Sequence, residues 1–236
     1  MKTQEKNFDG IKLSGFTAIL IMLALTGTAI YLLSLPQTPS IIAGVICGIC
    51  VVVMLPGFMI IQPNNSRVLT FFGRYAGTVI SNGFYWVNPL FLKSTVTLRI
   101  LNLNIDPIKV NDKVGNPIMI GAVVVWRIKD TYKASFDISG NIREFVQIQS
   151  DAALRQVAGM YAYDTNETID KVTLRSDESG EITQRLEDEL NSRLAIAGIE
   201  IVEARINYLA YASEIASVML RRQQADAIIS AREKIV

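Results

Sequence analysis

The chain has 236 residues, enough for one or two domains, and half of them are apolar, a share that is high for a soluble protein. With 23 Lys and Arg against 22 Asp and Glu the net charge is +1, and no basic stripe or RNA-binding aromatic signature occurs, which argues against nucleic acid as a partner. There is no histidine, which removes the commonest general base, the Ser-His-Asp and Cys-His arrangements and most zinc sites.

The apolar excess is local. No Asp, Glu, Lys or Arg lies between Lys12 and Arg67, so 54 consecutive residues are uncharged, whereas one bilayer crossing takes only ~20. Two spans are expected, at about residues 15–33 and 41–61, separated by "SLPQTPS", whose Pro36 and Pro39 break a continuous helix. The chain then divides into a tail (1–13), a two-span hairpin (14–61) and the remainder. Lys2, Lys6 and Lys12 precede the hairpin, Arg67 and Arg74 follow it, and the turn is uncharged, so the positive-inside tendency puts both ends and the bulk of the protein on the cytosolic side. Two rival readings are a cleaved signal peptide for the first span, which lacks a small-x-small site before polar sequence, and a re-entrant second span around Pro56 and Gly57. Cys47 and Cys50 form "CGIC" inside the second span, where a thiolate is poorly solvated and packing is the expected role.

From Arg67 onward the signals run strand, then mixed, then helix. "VLTFFG" and "GTVI" flank "RYA" as a hairpin, and "GFYWVNP" is an extended segment closed by Pro89. In "TVTLRILNLNI" the apolar phase shifts by one residue between Ile100 and Leu101, the mark of a bulge or sharp bend. "NDKVGNP" is a turn leading into "IMIGAVVVWRI", apolar on both alternations and therefore a strand covered on both faces. Helical periodicity spans residues 141–161 and 179–197, the second with a stripe of Ile182, Leu186, Leu190 and Leu194 and i,i+4 pairs Glu181–Arg185 and Glu189–Arg193. Asp164 and Glu167 have capping-box spacing. "IEIVEARINY" alternates, with Val202, Ala204, Ile206 and Tyr208 on one side. From residue 212 to the last residue everything favours helix, with a thin stripe of Ala212, Ile215, Ala216, Met219, Leu220, Ala227, Ala231 and Ile235. It either docks on its own domain or needs a partner helix.

The order and spacing of these segments resemble the SPFH (band 7) superfamily, the stomatin, prohibitin and flotillin group, and most of all its bacterial slipin-type members. The residues that carry the likeness are "VLTFFGRYAGT", "GFYWVNPLF", "LNLNIDPIKVNDKVGNPIMIGAVVVWRIKD" and "DAALRQVAGM"; it covers about residues 60–236. Asn82, Lys93 and Ser66 depart from the residues common in the family at those places. The resemblance implies an α+β fold: an anchor, an SPFH domain at about residues 62–210 with a small curved sheet packed by helices, and a long C-terminal helix at 211–236. It further implies lateral assembly into large homo-oligomeric rings or cages that organise a microdomain of a bacterial inner membrane, with lipids and other copies of itself as partners.

Two sets of residues are candidates for these contacts. Aromatic side chains favour the membrane interface, so Phe84, Trp86 and Phe91 are the expected lipid contacts, the alternative being that such residues form the core of the first sheet. Ile215, Ala216, Met219, Leu220, Ala227, Ala231 and Ile235 are the expected oligomer interface. No catalytic, cofactor-binding or metal-binding residue is assigned: "GRYAG" lacks the Lys and hydroxyl of a phosphate loop, the acids Glu187, Asp188 and Glu189 splay around a helix, and Ser-Lys pairs at Lys93–Ser94 and Lys133–Ser135 have no oxyanion-hole signature. The resemblance leaves a second function open, a regulatory subunit that sequesters substrates from, or presents them to, a membrane-bound protease. An enzyme or transporter is disfavoured, because spans without an ionisable residue mark no substrate path.

Overall fold

A two-residue strand, β1 (Leu13–Ser14), leads into two apolar helices, α1 (Gly15–Ser34) and α2 (Thr38–Met54), which pack on each other as a hairpin. The computed structural model describes residues 4–164, 172–176 and 180–233. Pro36 lies just past the end of α1, and Pro39 sits in the first turn of α2, where its missing N–H costs nothing. At 20 residues α1 is about 30 Å long, the thickness of a bilayer's hydrocarbon. Only Gly15, Ala18 and Ala29 of α1 and Gly44 of α2 are buried, and Gly44 lets the helices close up: a Cβ there would stand 2.9 Å from Leu33 and 3.2 Å from the Ala29 carbonyl. Leu20, Leu23, Ile30, Ile42, Ile49 and Val52 point outward. The hydroxyls of Thr26 and Thr28 donate back to Met22 O (2.8 Å) and Ala24 O (2.7 Å), so they ask nothing of the surroundings.

The second helix stops short of the expected limit at residue 61. A 3₁₀ turn at Leu55–Gly57 ends it, and Phe58–Ile61 form strand β2. The remaining strands of this part are β3 (Asn65–Phe71), β4 (Arg74–Val79), β5 (Gly83–Trp86) and β6 (Phe91–Thr97). They make two antiparallel sheets, ordered β1-β5-β2 and β4-β3-β6, which share a core of Met59, Ile61, Leu69, Val79 and Val87. The β3–β4 turn is Phe72–Gly73, both at positive φ (46° and 81°), rather than "RYA"; Arg74, Tyr75 and Ala76 already belong to β4. This unit comprises Met1–Arg99 and Asp130–Phe136.

The second unit is Ile100–Lys129 with Asp137–Val236. Its sheet has order β7 (Leu101–Asn111), β8 (Pro117–Ile128), β9 (Ile199–Tyr211), with β8 central and all pairs antiparallel. The phase shift at Ile100–Leu101 is therefore a break between strands of two different sheets, and the bulge of β7 lies at Asp106–Pro107, where a residue without N–H fits. A helix α3 (Thr131–Phe136) follows β8 and belongs to the first unit. Helices α4 (Ile142–Ala158) and α5 (Glu181–Leu194) pack on each other and on the sheet, and the predicted stripe Ile182, Leu186, Leu190, Leu194 is wholly buried. On β8 the buried face is Ile118, Ile120, Ala122, Val124, Trp126 and Ile128, with Met119, Val123 and Val125 half-buried opposite.

Alternation in β9 is broken by a bulge. Ile201 pairs with Trp126 and Glu203 with Val125, so Val202 is an extra residue turned to solvent and the inward phase passes from Ile201 to Ala204. Glu189–Arg193 forms as an ion pair at 2.7 Å, whereas Glu181 accepts from Tyr161 Oη at 3.3 Å. Glu167 of the proposed capping box lies outside the described residues.

The β7–β8 turn is organised by a buried carboxylate. Asp112, 5% exposed, accepts from Val114 N (3.0 Å), Asn116 N (2.7 Å), Asn116 Nδ2 (3.1 Å) and Tyr163 N (3.1 Å). Asp112→Ala should lower stability by about 3 kcal/mol, since an abandoned donor costs ~1–3 kcal/mol and the turn can rescue only some of its donors with water. Thermal unfolding in detergent followed by circular dichroism checks this, with Asp112→Asn intermediate.

Candidate functional site at the roots of the apolar helices

Strand β5 is the centre of this site. On one edge it pairs with the residues that enter α1 (Leu13↔Trp86, Ser14↔Tyr85), and on the other with those that leave α2 (Phe58↔Trp86 through Ile61↔Gly83). Both roots of the hairpin are thus tied to four residues, and they lie at the same end. Trp86 Nε1 donates to Met54 O at 2.9 Å, satisfying one carbonyl that the end of α2 leaves without a helical partner. Gly57 fits beneath the indole: a Cβ there would be 2.2 Å from Nε1 and 2.7 Å from Val87 O. Val87 N closes the turn onto Gly57 O at 3.0 Å.

Phe84 stacks on Phe58 (centroids 5.6 Å apart, 16° between planes) and meets Phe16 edge-on at 5.6 Å. Lys93 Nζ donates to Pro56 O beyond α2, a placement that the negative end of a helix dipole favours. Burial, and then the nearby Arg67, hold the Lys93 pKa below the usual lysine range. Lys12 donates to Ser81 Oγ (3.2 Å) and rides 4.7 Å over the Tyr85 ring.

The tail ahead of the hairpin is part of the same fold. Phe8 N donates to Thr78 O (3.0 Å) and Thr78 N to Lys6 O (2.9 Å), laying the tail along β4. Gly77, at φ +146°, is required by this approach, because a Cβ would stand 2.7 Å from Phe8 Cα. A chain of hydroxyls seals it: Tyr75 Oη and Thr78 Oγ1 are 2.7 Å apart, Thr78 and Thr131 2.9 Å, and Thr131 donates to Glu5 at 2.5 Å, with both threonines 1% exposed.

Of the three predicted lipid contacts, Phe84 and Trp86 stand at the helix roots. Phe91 is half-buried, edge-on to Phe8 at 5.4 Å and packed against the sheet core. Sequence reasoning missed other apolar groups of this unit, Ile11 (77% exposed), Leu90 (58%) and Leu92 (68%), and did not select Phe72 (79%) from the aromatic cluster to which it belongs. For Leu92 the signal was the alternation of β6, which sets it opposite to Phe91, whereas Ile11, Phe72 and Leu90 lie outside the strands.

At the other end of the chain α6 spans Ser213–Glu233. Ala212 is buried ahead of it and a Lys109–Glu214 ion pair (2.5 Å) ties its first turn to β7. Ile215, Ala216 and Met219 are half-exposed and Leu220 is exposed, as are Val218 and Ile228, which the predicted stripe omitted. Ala227 and Ala231 lie on the helix, and Ile235 lies outside the described residues. The neighbouring acids of α5 serve the fold separately: Glu187 accepts from Ala204 N (3.1 Å), Asp188 from Gln184 (3.1 Å) and Glu189 pairs with Arg193. Ser135 Oγ is spent on Thr131 O at 2.7 Å.

A hairpin of apolar helices rooted in a small sheet, followed by an α+β domain and a long terminal helix, defines a class of domain joined to an apolar helical hairpin without a linker. The profile of the SPFH domain / Band 7 family matches residues 59–235, beginning within β2, and the chain belongs to that family. Its members are in general membrane-associated scaffolds without catalytic activity. Among curated proteins none matches the chain.

Proposed function

We propose that this protein is a non-enzymatic scaffold of a cell membrane, anchored by the α1–α2 hairpin, that assembles with copies of itself into a ring or cage around a membrane patch. The observation that carries the reading is the clasp of β5 on both hairpin roots. It holds the domain against the surface from which the helices rise, so neighbouring copies are presented in one plane. Exposed apolar residues on both helices suit hydrocarbon, and the same residues in water would cost ~25 cal/mol for every Å². Lateral contact falls to α6, through Ile215, Ala216, Met219, Leu220, Ala227, Ala231 and Ile235, with Val218 and Ile228 added. Phe84 and Trp86 meet the headgroup region, and the basic tail puts the domain on the cytosolic side.

Electron microscopy and light scattering of the detergent-extracted protein test this. The expected particle is a closed assembly many times the 26.1 kDa chain, with all domains in one layer against the detergent belt. Dispersed single chains would overturn it.

A further inference from the structure

A cleft of about 320 Å³ opens beside the clasp, between the β3–β4 hairpin, the start of β6 and the tail. Phe71, Tyr75 and Phe91 give it aromatic walls, Ala76 a small floor, and Lys6 and Arg74 stand exposed at it. Neither cation has an acidic partner among the described residues, whereas Arg127, Lys129, Arg175 and Arg193 all do. The next residue along the hairpin, Phe72, holds a left-handed backbone (φ +46°) that costs a bulky side chain of the order of 1 kcal/mol, yet its ring is left 79% exposed. Leu90 and Leu92 flank the cleft and are also exposed.

The cleft sits at the level where α2 ends. Asn88, in its lining, follows Val87, which is bonded to Gly57 O, and two residues beyond Phe91 the Lys93 ammonium reaches Pro56 O. An apolar slot with unpaired cations at this depth matches one chemistry. We propose that it binds an anionic phospholipid drawn from the adjoining leaflet, with the first segment of one acyl chain between the aromatic walls and the phosphate on Lys6 and Arg74. The guanidinium fork suits phosphate, and a slot of this size holds part of a chain rather than a whole lipid. Phe72, Leu90 and Leu92 enter the leaflet beside it. The inference rests on the membrane reading above and adds to it a lipid class and a place.

The test uses the full chain in dodecyl maltoside, titrated with phosphatidylglycerol or phosphatidylcholine, with lipids retained per chain counted by native mass spectrometry. One phosphatidylglycerol per chain should be retained in about tenfold preference to phosphatidylcholine, which carries the same phosphate but adds a trimethylammonium that Lys6 and Arg74 repel. Lys6→Glu with Arg74→Glu, and separately Ala76→Trp, should abolish the preference. Because tryptophan at Ala76 can also unfold the hairpin, the charge-reversal pair, whose side chains are exposed, decides, with circular dichroism confirming its fold. Wild-type retention by that pair, or no preference in the parent protein, overturns the proposal. Particle mass reports the scaffold reading separately: a lipid preference on a single chain removes the assembly and keeps the site, and a large particle without preference does the reverse.

Discussion

Ala227→Pro is expected to reduce the extracted particle to single chains or small oligomers while leaving the circular dichroism of the sheet units unchanged. Residue 227 lies well inside the 21-residue α6, where proline removes a helical hydrogen bond, clashes with the carbonyl four residues back and costs ~3 kcal/mol or more. Charged to one subunit contact, ~3 kcal/mol weakens it more than a hundredfold. Ala216→Pro should act more mildly: Ala216 is the fourth residue of α6, and the substitution costs a single bond, Ala216 N to Ala212 O at 3.1 Å. Light scattering at fixed protein concentration ranks the two. A full-sized particle from Ala227→Pro would remove α6 as the organising contact.

The second large effect is expected at Gly57. Gly57→Val places methyl groups where the Trp86 indole and the Val87 carbonyl already stand, and the carbonyl cannot step aside without breaking the β2–β5 pairing. Overpacking of this kind costs ~1–3 kcal/mol in an adaptable core, and the upper end or beyond applies where backbone is the obstacle. The measurable result is loss of protection: trypsin should cut the variant after Lys6 and Lys12 in the tail and after Lys93 in β6 in proteoliposomes while the parent resists. Trp86→Phe is the control, since it gives up the bond to Met54 O, ~1 kcal/mol, and part of the indole's packing, but puts nothing against the Gly57 and Val87 backbone. If both variants resisted equally, the clasp would not be what holds the roots together.

Much of the architecture was legible in the residues because its signals are local. An uncharged run longer than one crossing, two prolines at its middle and the stripe of Ile182, Leu186, Leu190 and Leu194 on α5 each act over a few positions. What stayed hidden depends on partners distant in sequence. The bulge at Val202 is set by its register on β8, so alternation alone put Val202 on the wrong face. Composition alone sets the turn at "RYA", whereas the likeness of "VLTFFGRYAGT" to a strand with a Phe-Gly-Arg turn points to Phe72–Gly73, where the positive φ values lie. The run "PGFMII" has the composition of membrane helix, and only its pairing with Gly83–Trp86 makes its second half a strand. For the candidate site, Phe84 and Trp86 were found by composition, whereas the tail along β4 was not, since nothing within residues 4–9 announces a partner at Thr78.

The bonds of Thr131 also fix an order of events during synthesis. Glu5 and Thr131 are 126 positions apart, and the hydroxyl chain that seals the tail cannot form until α3 has left the ribosome. Both apolar helices and β2 to β6 emerge before that point, so the tail's seat on β4 stays unsealed until then. The seal on the tail therefore reports that the β7–β8 hairpin, which lies between Glu5 and Thr131 in sequence, has been made, and a chain cut inside that hairpin would leave its leading segment held only by the backbone bonds along β4.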